Sequence, residues 1–245
     1  MSYSNPMYIT PRRNILQRLA NRLGHRFGIK PFPVAFESTL PEAGGKPKDV
    51  FNSVYAANYW EDHESKSGSG STLAATAGYV PQLIAAINDL GIETMFDAPC
   101  GDLNWMGTVI DRTGVAYQGG DIADEAISIA KSRRPDLPIA RFDICEDDFP
   151  AVDLWHCRDT FFHLSYEAIS KALRQLTASS IPYAALTTHR ARMLRNMDIA
   201  TGGFRLLDLE RAPFNFPPAL RYLRDYKPGE FPRFVGIWRV EDLRS

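Results

Sequence analysis

Three aspartates stand at or near the ends of short predicted strands in the middle of the chain: Asp97, Asp121 and Asp143. An ionised carboxylate has only acceptor oxygens, so it can bind the two hydroxyls of a ribose or an amino group. The carboxyl ends of parallel strands meet at one edge of a sheet, where ligands bind. For each aspartate alone, a turn-forming or helix-capping role is a competitive explanation. The three in order and at this spacing favour a shared ligand site.

The turn after the first of these strands, residues 97–105, reads Asp-Ala-Pro-Cys-Gly-Asp-Leu-Asn-Trp. Its proline and glycine end the strand, and Asp102 or Asn104 can cap a following helix. A strand, a tight turn and a helix N-terminus form the usual adenosine-ligand site of an open α/β sheet. Neither G-x-G-x-x-G nor G-x-x-x-x-G-K-[ST] is present, so the turn gives no strong reason to expect a pyrophosphate.

The Asp-Ala-Pro-Cys-Gly-Asp segment resembles motif I of the class I S-adenosylmethionine-dependent methyltransferases, an acidic strand end followed by a glycine-containing turn. Pro99 and Cys100 depart from the common, more glycine-rich form. The D-A-P-C-G-D-x-x-W variant resembles a subgroup of bacterial methyltransferase-domain proteins. The resemblance covers roughly residues 51–243 and implies S-adenosyl-L-methionine as cofactor.

The resemblance also implies a role for each acid. Asp121 would bind the ribose hydroxyls and Asp143 the adenine amino group, while Asp97 and Gly101 would lie nearest the methionine portion. An acid at the position of Asp121 serves NAD equally well in a Rossmann fold, so position alone does not separate the two cofactors. The full set implied for cofactor binding is Asp97, Pro99, Cys100, Gly101, Asp102, Trp105, Asp121, Ile122, Asp143, Ile144 and Arg158.

Residues 155–164, Trp-His-Cys-Arg-Asp-Thr-Phe-Phe-His-Leu, resemble motif IV and the region after it, where methyl donor and acceptor meet. Methyl transfer requires a positioned acceptor and the removal of a proton. His163 and His189 each follow a predicted strand and are the candidate bases. Asp159 can act as a base or orient a histidine. A core histidine bonded to a backbone carbonyl is an equally weighted explanation of His163.

Three loops are the candidates for acceptor binding. A Ser-Gly alternation at residues 65–71 follows an aromatic cluster and resembles a loop that precedes motif I in the same subgroup. A surface linker is the plainer explanation. Residues 196–205 resemble a substrate-side loop with polar groups suited to hydroxyl-rich or anionic acceptors. A separate loop at 213–218 has aromatic faces on which a sugar could stack, and the alternative is that its prolines and phenylalanines pack the sheet edge. The predicted acceptor-binding residues are Trp60, Ser67, Ser69, Asn196, Asp198, Thr201 and Arg205.

Strand and helix patterns alternate from residue 79 onwards, which predicts βαβ units and a parallel sheet. Two late apolar runs with no helical pattern between them, 204–209 and 235–240, are expected to pair antiparallel. The predicted fold class is α/β, with the Rossmann-like class I methyltransferase fold: a mostly parallel seven-stranded sheet with an antiparallel final strand and helices on both faces.

The 245 residues, 44% hydrophobic and with a net charge of −1, fit one globular domain with an extension. Residues 1–30 contain six basic residues and no acid, with apolar residues at helical spacing. We expect a basic amphipathic helix and a Pro/Gly-rich linker over residues 1–50 and the methyltransferase domain over 51–245. The helix, at residues 12–28, either packs on the domain or a partner, which is slightly favoured, or contacts an anionic membrane.

Several classes of protein are disfavoured. No apolar run approaches 18 residues and no signal peptide is evident, so we expect cytoplasmic residence without a transmembrane segment. Outside the first 30 residues there is no dense basic stripe, which argues against nucleic acid as a substrate. The three cysteines suggest neither a disulfide framework nor a zinc site, and no metal is predicted. The sequence leaves the oligomeric state open.

The function predicted from these features is S-adenosylmethionine-dependent methylation, with oxygen the favoured acceptor atom. A small or carbohydrate-type acceptor, such as a sugar of a surface polysaccharide or glycolipid, is suggested by the polar and aromatic loops. One alternative is a NAD-dependent oxidoreductase, although the expected phosphate-binding glycine turn is absent. The other is a non-catalytic protein that binds the cofactor and docks a partner through its N-terminal helix.

Overall fold

The computed structural model describes residues 8–9, 19–20, 23, 34–227 and 230–244. The predicted amphipathic helix of residues 12–28 therefore lies outside the described residues except at three positions, and its membrane or partner contact stays a prediction. Among the helices of the described ranges, none combines the length and hydrophobicity that a membrane span requires.

The chain forms ten strands and six helices within the described residues. The strands are β1 Tyr8–Ile9, β2 Ala35–Ser38, β3 Thr94–Asp97, β4 Ala116–Asp121, β5 Ile139–Arg141, β6 Leu154–Cys157, β7 Tyr183–His189, β8 Phe204–Arg205, β9 Arg221–Arg224 and β10 Arg233–Arg239. The helices are α1 Pro47–Ala56, α2 Leu73–Thr76, α3 Val80–Leu90, α4 Met106–Thr113, α5 Asp124–Arg133 and α6 Tyr166–Ala178. Single turns of 3₁₀ helix occur at Ser69–Ser71, Phe161–His163 and Val240–Leu243.

Seven strands form the central sheet in the order β5-β4-β3-β6-β7-β10-β9. All neighbours are parallel except at β10, which runs antiparallel to both β7 and β9. The predicted seven-stranded, mostly parallel sheet with an antiparallel final strand is therefore confirmed. Side chains of α3 and α4 pack in the apolar core on one face, and those of α6 pack in the core on the other.

Local sequence explains where the helices begin and end. The Ser165 side chain accepts a hydrogen bond from the Ala168 N–H and so caps α6. Pro81 stands in the first turn of α3, where its missing N–H costs nothing, and Gly91 ends that helix with a left-handed φ of 66°. Because α3 ends at Gly91, only a short connection separates it from β3. Asp97, the last residue of β3, therefore lies at the sheet edge.

The expected pairing of residues 204–209 with 235–240 is wrong. Only β8 forms in the first run, and it pairs with β2 in a separate sheet of order β1-β2-β8. The partner of β10 is β9, whose sequence Arg-Tyr-Leu-Arg the hydrophobic pattern did not mark as a strand. An edge strand buries little of its surface, and here only Leu223 is fully buried, so its periodic signal is weak.

The linker expected at residues 31–50 is also different in the structure. It contains β2 and the first turn of α1, and Val34, Phe36 and Val50 are buried. Pro47 begins α1 at a position where proline is favoured. Helix α1 packs against α5, which brings it to the sheet edge where β4 ends. The predicted domain boundary at residue 50 thus falls inside α1.

Gly120, directly before Asp121 in β4, lies where the sheet leaves no room for a side chain. A Cβ at this position would lie 2.7 Å from Phe142 Cβ and 2.8 Å from a Phe96 ring carbon. We expect Gly120→Ala to lower the free energy of unfolding by about 1–3 kcal/mol through overpacking, measured by urea denaturation. Gly107→Ala is the control, because its Cβ would have no neighbour closer than 3.5 Å. Equal stabilities of the two variants would contradict this account of β4.

Candidate active site

A single cleft lies at the carboxyl ends of β3, β4 and β6. It contains about 910 Å³ of empty space, including its open mouth, within the usual range for small-molecule sites. All the residues predicted to bind cofactor line it: Asp97, Pro99, Cys100, Gly101, Asp102, Trp105, Asp121, Ile122, Asp143, Ile144 and Arg158. So do Asp159, His163, Trp60 and Ser67. Six predicted residues do not: His189, Ser69, Asn196, Asp198, Thr201 and Arg205.

Asp121 is almost fully buried at the end of β4. Its Oδ2 accepts the Gly101 N–H at 2.9 Å, and its Oδ1 accepts the Ala123 N–H at 2.9 Å. Burial raises the pKa of Asp121 to about 6, against the lowering effect of these backbone donors. A carboxylate has about four acceptor positions, so each oxygen keeps one for a ligand hydroxyl.

Asp143 lies two residues beyond the end of β5. Its Oδ1 accepts the Cys145 N–H at 2.9 Å, and burial raises its pKa. Its sequence neighbours Phe142 and Ile144 also line the cleft, as does Ile122 just after the end of β4. A carboxylate among apolar side chains suits a flat ring that carries a polar amino group.

Asp97 and His156 form a buried pair in the floor of the cleft. They are register partners on β3 and β6, and His156 Nδ1 lies 2.6 Å from Asp97 Oδ1. Tyr117 donates its hydroxyl to Asp97 Oδ2 at 3.0 Å, and the Tyr79 hydroxyl lies 2.9 Å from His156 Nε2. From the sequence alone His156 has no predicted role, because a histidine within the apolar strand Leu-Trp-His-Cys carries no signal that separates it from a core residue.

Residues 61–71, which we call the serine loop, are bound to the motif-like turn through Asp102. The Asp102 carboxylate accepts from Ser65 Oγ at 3.0 Å, Lys66 N–H at 3.0 Å and Ser67 Oγ at 3.2 Å. Arg133 of α5 pairs with the same carboxylate at 3.2 Å. The carboxylate oxygens of Asp102 are thus occupied by donors of the protein itself, although the residue lines the cleft. We assign Asp102 the role of holding the serine loop in place.

Two glycines allow the serine loop to lie close to the cleft. Gly101 has a left-handed φ of 58°, and a Cβ there would collide with Ser67 Oγ. Gly68 packs against the Trp60 ring, with φ 89°. Trp60 in turn lies 5.8 Å from the His163 ring, measured between ring centroids. Ser67 and Ser71 of the loop line the cleft, so the loop forms part of its wall and is not a free surface linker, while its contact with a ligand stays a prediction.

A buried group of two arginines and two aspartates closes the β6 side of the cleft. Arg158 donates from Nε and Nη2 to the two Asp225 oxygens, each at 2.9 Å. Asp159 Oδ2 lies 3.1 Å from Arg233 Nη1 and 3.4 Å from Arg158 Nη1. Burial alone would raise the pKa of Asp159, but the two guanidinium charges outweigh it and lower the pKa. Asp159 is therefore an ionised, weakly basic group.

The two candidate histidines differ in their surroundings. His163 donates from Nδ1 to the Gly203 carbonyl at 2.7 Å, which leaves Nε2 with the lone pair. Burial lowers the pKa of His163 to about 4, so the ring is neutral at pH 7. His189 Nδ1 accepts the Leu207 N–H at 3.2 Å, and burial lowers its pKa to about 3. Since His189 does not line the cleft, the structure leaves His163 as the candidate base.

The predicted polar residues of segment 196–205 are used inside the protein. Asn196 bonds backbone groups of Asp208 and the following turn, and Asp198 accepts the Tyr166 N–H at the start of α6. Thr201 accepts the Ser165 N–H. Arg205, fully buried, donates to the Leu164 and Phe161 carbonyls. Their predicted role in acceptor binding is not supported, because their polar groups face backbone and not the cleft. Ser69 lies in the 3₁₀ turn of the serine loop, outside the lining.

The structure also bears on metal binding and on the reactivity of the cysteine thiols. Within the residues described by the structure, no group of three or more His, Cys, Asp or Glu is placed to hold a metal ion. The three cysteines are free thiols, with Cys100 in the cleft and Cys145 and Cys157 buried. Burial raises the pKa of each thiol, so none is an activated nucleophile.

Solved structures of S-adenosylmethionine-dependent methyltransferases have the same fold. The magnesium protoporphyrin IX methyltransferase of Synechocystis PCC 6803, with bound S-adenosylhomocysteine, aligns with a TM-score of 0.57 at 12% identity over 78% of this chain and 97% of its own. The 1,6-didemethyltoxoflavin-N1-methyltransferase of Burkholderia thailandensis aligns with a TM-score of 0.57 at 15% identity, over 84% of this chain and 95% of its own.

A third structure, the methyltransferase SibL, aligns with a TM-score of 0.50 at 14% identity. The alignment covers 67% of this chain and 55% of SibL, so this chain spans about half the length of that protein. No protein-family model matches the chain, and no curated protein sequence is significantly similar to it. The structural likeness establishes the class I methyltransferase fold, as predicted, while the resemblance of residues 97–102 to motif I stays a prediction.

The role of Asp102 can be tested by hydrogen exchange. We expect Asp102→Ala to speed deuterium exchange at backbone amides 65–68 by about tenfold or more, because three hydrogen bonds that hold the loop are lost. The control is Asp111→Ala, an exposed aspartate that pairs with Arg134 at 3.1 Å on the outside of α4. Unchanged exchange at residues 65–68 in Asp102→Ala would show that other contacts hold the loop.

Proposed function

We propose that this protein is an S-adenosyl-L-methionine-dependent methyltransferase acting on a small acceptor. The observation that carries the proposal is the convergence of Asp97, Asp121 and Asp143 on one cleft at the ends of adjacent strands. The fold supports it, since structural neighbours were solved with S-adenosylmethionine or S-adenosylhomocysteine bound.

The cleft residues fit the three portions of this cofactor. Asp121 keeps one acceptor position on each oxygen for the two ribose hydroxyls. Asp143, with Ile122, Phe142 and Ile144 beside it, suits the adenine ring and its amino group. Asp97, the third of the converging aspartates, suits a cationic group at the methionine end. The cofactor, when bound, supplies an electrophilic methyl group on a sulfonium.

The protein's own contribution to the reaction would come from the region around His163. With Nδ1–H held by Gly203, His163 Nε2 is a proton acceptor that stays unprotonated at neutral pH. The Trp60 ring packs beside the histidine, with 5.8 Å between the ring centroids. The ion pairs of Asp159 with Arg158 and Arg233 leave it poorly suited to accept a proton. We therefore assign the role of general base to His163.

The acceptor itself is proposed only as a small molecule with an O–H or N–H group. Oxygen remains the favoured atom and a carbohydrate remains one candidate. The polar loop that suggested a sugar offers little support, because its side chains bond to the backbone. The aromatic face of Trp60 suits a sugar ring or another flat acceptor.

Calorimetric titration with S-adenosylmethionine, S-adenosylhomocysteine and NAD tests the cofactor, and we expect binding of the first two only. Affinity for S-adenosylhomocysteine should fall as pH drops below about 6, approaching tenfold per pH unit, because only ionised Asp121 accepts both hydroxyls. Asp121→Asn should bind at least tenfold more weakly, without this pH dependence. Binding of NAD alone would favour a dehydrogenase instead.

Asp124→Asn is the matched control for this experiment. Asp124 lies three residues further along the chain, is exposed at the start of α5 and does not line the cleft. Its variant should retain both the affinity and the pH profile of the wild type. Equal losses of affinity in the two variants would show that binding depends on any negative charge near the start of α5 and not on Asp121 in particular.

The role of His163 can be tested with a radiolabelled methyl donor and a small-molecule extract as the source of acceptor. We expect His163→Gln to lower the initial rate of label transfer by about 100-fold or more. Binding of S-adenosylhomocysteine should stay within about twofold of wild type, since His163 is not assigned to the cofactor. Full turnover in His163→Gln would remove it as the base.

A further inference from the structure

We infer that His156 is a positioning residue, which fixes the Asp97 carboxylate for the methionine ammonium group of the cofactor. The inference rests on the proposed function. It concerns a fully buried chain of four side chains under the cleft, Tyr117–Asp97–His156–Tyr79, that is joined by hydrogen bonds of 2.6–3.0 Å.

The chain leaves Asp97 partly free to bind a ligand. Its Oδ1 is occupied by His156 and its Oδ2 by the Tyr117 hydroxyl, one donor to each oxygen. Since an ionised carboxylate offers about four acceptor positions, one position on each oxygen remains. Asp97 lines the cleft, so these positions are within reach of a ligand.

The Tyr79 hydroxyl determines which ring nitrogen of His156 donates to Asp97. Burial raises the pKa of Tyr79, so its phenol keeps the proton and can donate it to His156 Nε2. His156 Nδ1 then donates to Asp97 Oδ1, since an ionised carboxylate oxygen only accepts. The His156 ring is held in this orientation by Trp105, whose ring centroid lies 5.9 Å away.

Within the described residues, no arginine or lysine forms an ion pair with Asp97, whose one recorded pairing is with His156. The Arg158 guanidinium, which lies over the Tyr79 ring, is engaged by Asp225 and Asp159. A buried carboxylate with free acceptor positions and no arginine or lysine partner favours a cationic donor. The cofactor has two cations, and only the ammonium carries N–H groups. The sulfonium has none, so the ammonium is the group that Asp97 would bind.

The test separates the ammonium from the rest of the cofactor by calorimetry with three ligands. S-adenosylhomocysteine has ammonium and carboxylate, decarboxylated S-adenosylmethionine has the ammonium only, and 5′-methylthioadenosine has neither. We expect His156→Leu to weaken the first two about tenfold or more and to leave 5′-methylthioadenosine within about twofold. His156→Asn, which keeps an N–H donor near the place of Nδ1, should restore affinity to within about threefold of wild type.

Two further variants keep the test decisive if His156→Leu does not fold. Tyr79→Phe removes only the hydroxyl and should weaken the two ammonium ligands about threefold while sparing 5′-methylthioadenosine. In an Asp97→Asn background, the Tyr79 change should have no further effect, since the carboxylate it supports is gone. If Tyr79→Phe and Asp97→Asn instead caused additive losses of affinity for the ammonium ligands, the inference would be overturned.

The control is Trp238→Phe, which alters a buried side chain of β10 that bonds the Pro217 carbonyl and does not line the cleft. It should bind all three ligands as wild type does. Equal weakening of all three ligands in His156→Leu would reduce His156 to a structural residue. Failure of the wild type to bind any of them would overturn the proposed function itself.

Discussion

A carboxylate that is removed from water needs hydrogen-bond donors, and this cleft contains three that are almost fully buried: Asp97, Asp102 and Asp121. Each obtains its donors from a different part of the chain. Asp121 uses backbone N–H groups of the neighbouring turns, Asp102 uses the serine loop and Arg133, and Asp97 uses His156 and Tyr117. The arrangement of the cleft follows from satisfying these three charges.

The same requirement connects the end of the chain to the cleft. Arg158 follows β6, and its two-pronged contact with Asp225 ties it to the segment between β9 and β10. Arg233, at the start of β10, contacts Asp225 and Asp159. Breaking a buried ion pair leaves an uncompensated charge that costs several kcal/mol. The antiparallel end of the sheet is therefore held against the site by charge as well as by strand pairing.

The sequence was sufficient to predict features that depend on local pattern. The strand-helix alternation predicted the parallel sheet, and the strand-end acids predicted which residues meet at its edge. It failed where the cause is tertiary. Strand β9 has no apolar repeat, Asp225 matters only because Arg158 reaches it, and Arg205 appeared polar and available until burial directed it to backbone carbonyls. His156 shows the same limit, since its pairing with Asp97 depends on the register of β3 and β6.

Burial also sets the kind of chemistry that His163 can perform. It lowers the pKa of His163 to about 4, which makes the ring always available as an acceptor but weak as a base. Such a base cannot deprotonate a free alcohol in advance. An acceptor oxygen that has gained a methyl group carries positive charge, however, and its proton becomes strongly acidic. We therefore expect the proton to move to His163 Nε2 late, as the new bond forms. A weak base is sufficient for that order of events, and burying the histidine then carries little catalytic cost.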